Sequence, residues 1–166
     1  MPHTGDPLAE CKDKIEPFIN SLCARFQEIF TPLQDLSIDE MVVGYKGRWK
    51  FLQFNAAKPD KHLIKSFGLV DSVTGYVLNI LTYFGHNTSY NPECDLGSGT
   101  AMKVFDTLLA NVGRGHHVSI MDRLYATPIL IDHMTNRSQY YTGTVQINRK
   151  HFHLELKTQH LVHMVP

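Results

Sequence analysis

Ten consecutive residues, Leu36-Ser37-Ile38-Asp39-Glu40-Met41-Val42-Val43-Gly44-Tyr45, form an apolar, β-branched stretch with an acid in its middle. The composition reads as a strand, yet an ionised carboxylate is excluded from an apolar strand unless it is paired or holds a metal. The pattern recurs in Val118-Ser119-Ile120-Met121-Asp122-Arg123-Leu124-Tyr125, where Asp122 follows a short apolar run. Two such acids in one small chain point to a metal-dependent centre at Asp39 and Asp122. The competing reading makes each a strand-edge or cap residue that accepts backbone N–H groups. Glu40 points to the opposite strand face from Asp39 and is expected to face solvent or pair with a base. After Asp132 the only acid is Glu155, so a third carboxylate must be sought there or outside this chain.

The pattern around these runs fixes the architecture. Residues 15–30 place Ile15, Phe18, Ile19, Leu22, Phe26, Ile29 and Phe30 at three- and four-residue steps, which predicts a helix. Pro17 suits its first turn. Residues 36–45 are a strand, 48–55 a ragged one, and 62–70 and 76–83 two more, joined by a hairpin over 71–75. Residues 58–61 and 87–99 read as loops. A helix is predicted over 100–112, with Thr100 as cap and Gly113 as stop. A short buried strand follows at 118–121. Thr127 caps a helix over 128–134 with Pro128 at its first position, and a last strand spans 140–146. The order of helix, strands, helix, strand, helix, strand predicts an α/β fold, a mixed sheet flanked by helices. If the two acid-bearing strands are neighbours, their carboxylates share one site at the carboxyl ends of strands, where α/β sheets collect functional groups.

Composition excludes several classes. The 166 residues suit one domain, and 43% hydrophobic with 19% charged content suits a globular chain. Sixteen basic residues balance sixteen acidic ones, against a clamp driven by bulk positive charge but not against local basic patches. Cys11, Cys23 and Cys94 show no metal or redox spacing and are expected to be free thiols. No secretory signal and no membrane-length apolar run is seen, so no membrane partner is expected. His151 and His153 would share a strand face and could hold a metal. With His116, His117, His160 and His163 they also fit solvated histidines.

The run Leu36 to Arg48 closely resembles the first catalytic segment of piggyBac-type transposases. Lys58-Pro59-Asp60-Lys61-His62-Leu63-Ile64-Lys65 is similar to that family's Lys-Pro-x-Lys-x-x-x-Lys stretch. Asp71-Ser72 with Thr74-Gly75-Tyr76-Val77, and Gly97 and Gly99 before a helix, follow in order. Gly113-x-Gly115-His116-His117-Val118 and Met121-Asp122-Arg123-Leu124-Tyr125-Ala126-Thr127 resemble the second catalytic segment. Gly143-Thr144-Val145 with Asn148-Arg149-Lys150 resembles the piece beyond it. Leu124 stands where the family has an aromatic, and Ala126 where it has a hydroxyl.

The resemblance covers residues 14–152. It implies a ribonuclease-H-like fold, incomplete at its C-terminus, and cut-and-paste DNA transposition with Mg²⁺, in which three aspartates cut and join strands. Asp39 would be the first and Asp122 the second, both catalytic and metal-holding; the third lies downstream in a Gly-Val-Asp context that the chain ends before reaching. Lys46, Arg48, Lys58, Lys61, Lys65, Arg149 and Lys150 are candidate phosphate contacts, the alternative being a solvated basic rim. The domain reading is 1–35 as an N-terminal segment with a support helix, 36–152 as a partial transposase core, and 153–166 as an atypical tail. The expected partner is DNA, the transposon ends, with a homodimer left open and no small-molecule substrate; the expected location is the nucleus, or the cytosol for a non-functional product. Little or no strand-transfer activity is expected of this chain alone. The alternatives are a domesticated, non-catalytic module that binds DNA or protein, and a decayed gene product.

Overall fold

The computed structural model describes residues 7–92, 99–120 and 125–144, with side chains from residue 12 onward. The elements run α1 (Pro7–Ile29), β1 (Asp35–Gly44), β2 (Gln53–Phe54), β3 (His62–Asp71), β4 (Val77–Thr82), a 3-10 turn (Gly85–Asn87), α2 (Thr100–Leu108), β5 (His117–Ile120), α3 (Pro128–Asn136) and β6 (Tyr140–Gly143). The strands form one mixed sheet in the order β2-β3-β1-β5-β6, with β4 also paired to β3. β1 and β3 are antiparallel from Leu36↔Asp71 to Gly44↔Leu63. β5 and β6 join in parallel, Ser37↔Ser119 and Ser119↔Thr142. β1, which carries Asp39, and β5, which precedes Asp122 in the sequence, are therefore neighbours, and Asp122 itself lies outside the described residues.

The side-chain alternation of a strand divides the sheet into a packed face and an open one. Leu36 and Ile38 from β1, Phe67 and Leu69 from β3, and Val118 and Ile120 from β5 are all buried. They meet Val104, Phe105 and Leu108 of α2 and Leu130 and Met134 of α3. Among the described residues, the opposite face is covered on its β4 side, by α1. There Cys23 is buried, its sulfur accepting from Ile80 N at 3.3 Å, and Phe30 stacks on Tyr76 at 4.5 Å. Burial pushes the Cys23 thiol pKa up, and the thiol is free, as expected.

Several boundaries differ from the sequence reading. α1 begins at Pro7, so Pro17 sits in its interior, where it withholds one backbone hydrogen bond, and not in the first turn. α2 is capped by Gly99 without a side-chain bond, so Thr100 is its first residue, not its cap. It stops at Leu108. Leu109 and Val112 continue the apolar spacing through a turn closed by Val112 N to Leu109 O, which made the helix look four residues longer. Residues 48–55 contribute only the two-residue β2. Thr127 caps α3 as expected, accepting from Leu130 N at 3.1 Å, with Pro128 behind it. The tail, with His151, His153, His160 and His163, lies outside the described residues, as do Cys94 and Gly97.

Candidate active site

Asp39 lies in the middle of β1 on the open face and is exposed. This corrects the premise that it is buried in an apolar strand. Ser37, Asp39, Met41 and Val43 alternate outward, Val43 at 64% exposure, while Leu36 and Ile38 turn inward. The strand is half-buried, so desolvation does not force a partner on the carboxylate. Asp39 Oδ1 accepts the Glu40 N–H at 2.7 Å, and the exposed carboxylate is a hard oxygen donor. Gly68 stands opposite on β3. A Cβ there would lie 2.3 Å from Met41 Sδ, so the missing side chain makes room for Met41 to lie over Gly68. β5 runs beside β1 and ends at Ile120. Asp122, Arg149 and Lys150 lie outside the described residues. Among the described residues, no three His, Cys, Asp or Glu side chains group to hold a metal ion.

Glu40 points to the packed face, as strand parity required, and is paired with a base. Lys65 Nζ lies 2.7 Å from its carboxylate. The ammonium also donates to the Tyr125 hydroxyl at 3.2 Å and sits 5.0 Å from the centre of the Phe67 ring. Burial lowers the Lys65 pKa, but the Glu40 and Tyr125 hydrogen bonds and charges outweigh it and hold it above the usual lysine value. Among the candidate phosphate contacts, Lys65 is thus committed inside the fold. Lys46, Arg48, Lys58 and Lys61 are exposed around β2 and the turns that flank it. Lys46 and Lys61 meet in a shallow hollow of about 450 Å³ with Tyr45, Pro59, Asp60 and His62.

Sequence reasoning missed two buried acids that set the frame of this site. Asp71, 0% exposed, ends β3. Its Oδ2 accepts from Leu33 N at 2.8 Å, and its Oδ1 from Val73 N, Thr74 N and Thr74 Oγ1 at 3.2, 2.9 and 2.8 Å. Burial would raise its pKa, but these four donors prevail and hold it below the ordinary carboxylate value. The residue ties the chain entering β1 to the β3–β4 hairpin, where Gly75 takes the positive φ of 74° that closes the turn. The Asp-x-x-Thr spacing is the available signal, because a short acid readily caps its own turn. Asp106 of α2 is 5% exposed and binds His133 Nε2 at 2.8 Å and the Arg137 guanidinium, clamping α2 to α3. Nothing in the sequence announces that cross-helix pairing. His116 and His117 also serve the fold: His116 Nδ1 lies 2.8 Å from Leu33 O, and His117 bridges Asp35 and Thr142.

The arrangement is an open-faced mixed sheet with an exposed acid on its central strand. It superposes on a piggyBac transposase, seen by cryo-EM in a synaptic complex with hairpin DNA, with a TM-score of 0.77 and 23% identity over 92% of this chain. The likeness shows the fold, the ribonuclease-H-like mixed sheet of integrases and transposases. A chain of the simian T-cell lymphotropic virus intasome complex with a PP2A regulatory subunit is a looser match, with a TM-score of 0.41 and 15% identity over 80% of this chain and 43% of that one. The family model described as Transposase IS4 matches residues 6–164, and the chain belongs to that family. It spans 31% of the length of the piggyBac transposase chain.

Proposed function

We propose that this chain is part of the catalytic core of a piggyBac-like, cut-and-paste DNA transposase that acts on phosphodiesters with Mg²⁺ in the nucleus. The observation that carries the reading is the parallel pairing of β1 with β5, whose register runs to Ser37↔Ser119, two residues before Asp39. From Ile120, where β5 ends, to Asp122 is two residues, a reach of at most about 7 Å. The strand that carries Asp39 thus pairs with the strand that precedes Asp122 in the sequence, which supports a shared site for the two acids.

The donor chemistry fits a hard cation, since Asp39 offers a solvent-facing carboxylate and Mg²⁺ takes oxygen ligands while keeping several waters. A bound divalent cation would supply charge stabilisation to the attacking and leaving oxygens of an in-line displacement. The chain's own part is to hold Asp39 on β1, paired with β3 at Gly68 and anchored by β5 two residues earlier at Ser37. Lys46, Arg48, Lys58 and Lys61 supply phosphate contacts around β2, and Arg149 and Lys150 are candidates for the same role. The relative's DNA-bound state supports DNA as the partner.

The test is Mg²⁺-dependent nicking of terminal-repeat DNA by the chain, Asp39→Ala and Asp122→Ala. Weak nicking lost in both variants supports the reading. Cleavage that survives in both, or that needs no metal, contradicts it. Salt-dependent DNA binding without any cleavage would favour the non-catalytic binding module.

A further inference from the structure

The charge of this chain is segregated. Residues 45–62 hold five cations, Lys46, Arg48, Lys50, Lys58 and Lys61, against one acid, Asp60, in a chain whose net charge is zero. Within this basic pole lies a row of aromatic rings that no core uses. Phe54 pairs with His62 across β2 and β3, their ring centres 5.5 Å apart, and Tyr45 N donates to His62 O at 3.0 Å. Extending the β1–β3 register beyond Gly44↔Leu63 sets Tyr45 level with His62. Three adjacent strands thus present one ring each. Phe54 is 66% and Tyr45 40% exposed, and His62 is exposed. Tyr45 and His62 line the same hollow as Lys46 and Lys61.

Strand parity places this row on the face that carries Asp39, because Tyr45 is six residues further along β1. Six residues of strand measure about 20 Å. Exposed rings beside cations are what an unpaired nucleic-acid strand requires: bases stack on the rings while the ammonium groups take the phosphates. A duplex hides its base faces and offers only the phosphates.

We propose that the β1–β2–β3 end of the sheet binds unpaired DNA, with Phe54, His62 and Tyr45 as a stacking platform for bases about 20 Å from Asp39. The inference deepens the DNA reading above and rests on it for the identity of the polymer. The cations give the charge complementarity, and the rings give the preference for splayed bases.

Fluorescence-anisotropy titrations of the 166-residue chain, without divalent cation, test it with a single-stranded 12-mer and the duplex of the same sequence. The wild type is expected to prefer the single strand. Phe54→Ala should weaken single-strand binding about ten- to a hundredfold, the worth of one stacked base, and change duplex binding by less than about twofold. Tyr45→Ala should behave in the same sense, and both should keep the far-UV spectrum of the parent. Lys61→Gln should weaken both complexes together and reduce the salt slope by about 0.7 to 0.9. Equal binding of the two DNAs, failure to bind either, or aromatic variants that lose both equally or neither would overturn the proposal. Ring-dependent single-strand binding by a chain that holds no cation would leave this inference standing and remove only the catalytic one.

Discussion

Replacing Asp71 should cost more than replacing any exposed acid of this chain, in graded steps set by which donors lose their acceptor. The carboxylate is 0% exposed and serves four donors, Leu33 N through Oδ2 and three groups of the β3–β4 turn through Oδ1. Hydrogen bonds to a charged acceptor contribute about 1.5–3 kcal/mol each, and an abandoned buried donor costs about 1–3 kcal/mol. The turn donors rehydrate easily, since Val73 is 67% exposed, whereas Leu33 N loses its tie to the hairpin. Asp71→Ala should therefore destabilise by about 3–4 kcal/mol, a fall in Tm of about 10 °C for a chain of this size. Asp71→Asn keeps one oxygen for the turn but aims an amide N–H at Leu33 N–H, so about 2 kcal/mol is expected. A depressed carboxylate pKa gives stability that is fully present above the unfolded value, about 3.9, and lost as pH falls through the folded value below it. The gap between wild type and Asp71→Asn should hold from neutral pH down to about pH 4 and close below it. Urea unfolding followed by circular dichroism, repeated across pH, measures this. Equal stability of Asn and Ala variants, or a gap that closes near neutral pH, would refute the hydrogen-bond account.

Other substitutions probe the rest of the frame. Lys65→Met breaks the half-buried pair with Glu40 and should cost about 1–2 kcal/mol, between exposed and buried pairs. Because the lysine pKa is raised, that contribution is present below the unfolded value of about 10.4 and lost as pH rises through the higher folded value, so wild type and variant should converge only in strong alkali. Leu36→Ala removes a side chain of 0% exposure at the junction of β1 with β3 and β5 and should cost about 2–5 kcal/mol in chemical denaturation. The open face and α1 carry Phe18, Ile29 and Val43 at 65, 71 and 64% exposure. The isolated chain should therefore self-associate and bind an apolar dye; a dye-silent, monodisperse monomer would contradict that.

Element order was legible because the periodicity changes along the chain, and the Thr127-Pro128 start of α3 showed in its cap chemistry. Helix ends were less legible. Leu109 and Val112 bury whether or not the backbone stays helical, so apolar spacing could not tell a turn from another helical turn. Pro17 suggested a start that Pro7 provides. At the site, Asp39 and Glu40 were correctly assigned to opposite faces, but exposure was misjudged. Met41 and Val43 looked like core residues, and only the placement of α1 over β4 shows that no described element covers their face. The clamp of Asp106 with His133 and Arg137 was invisible because it depends on two helices meeting. The engagement of Lys65 was hidden for the same reason, since a lysine in a basic stretch reads alike whether it reaches for phosphate or for Glu40.

The central claim is that Asp39 and Asp122 grip the same cation, and a Mn²⁺ titration followed by electron paramagnetic resonance on wild type, Asp39→Asn, Asp122→Asn and the double variant tests it directly. The account predicts that each single change weakens binding about tenfold or more, and that the double change adds little to either, the mark of coupled residues. Two independent, additive losses, or binding untouched by either change, would contradict it.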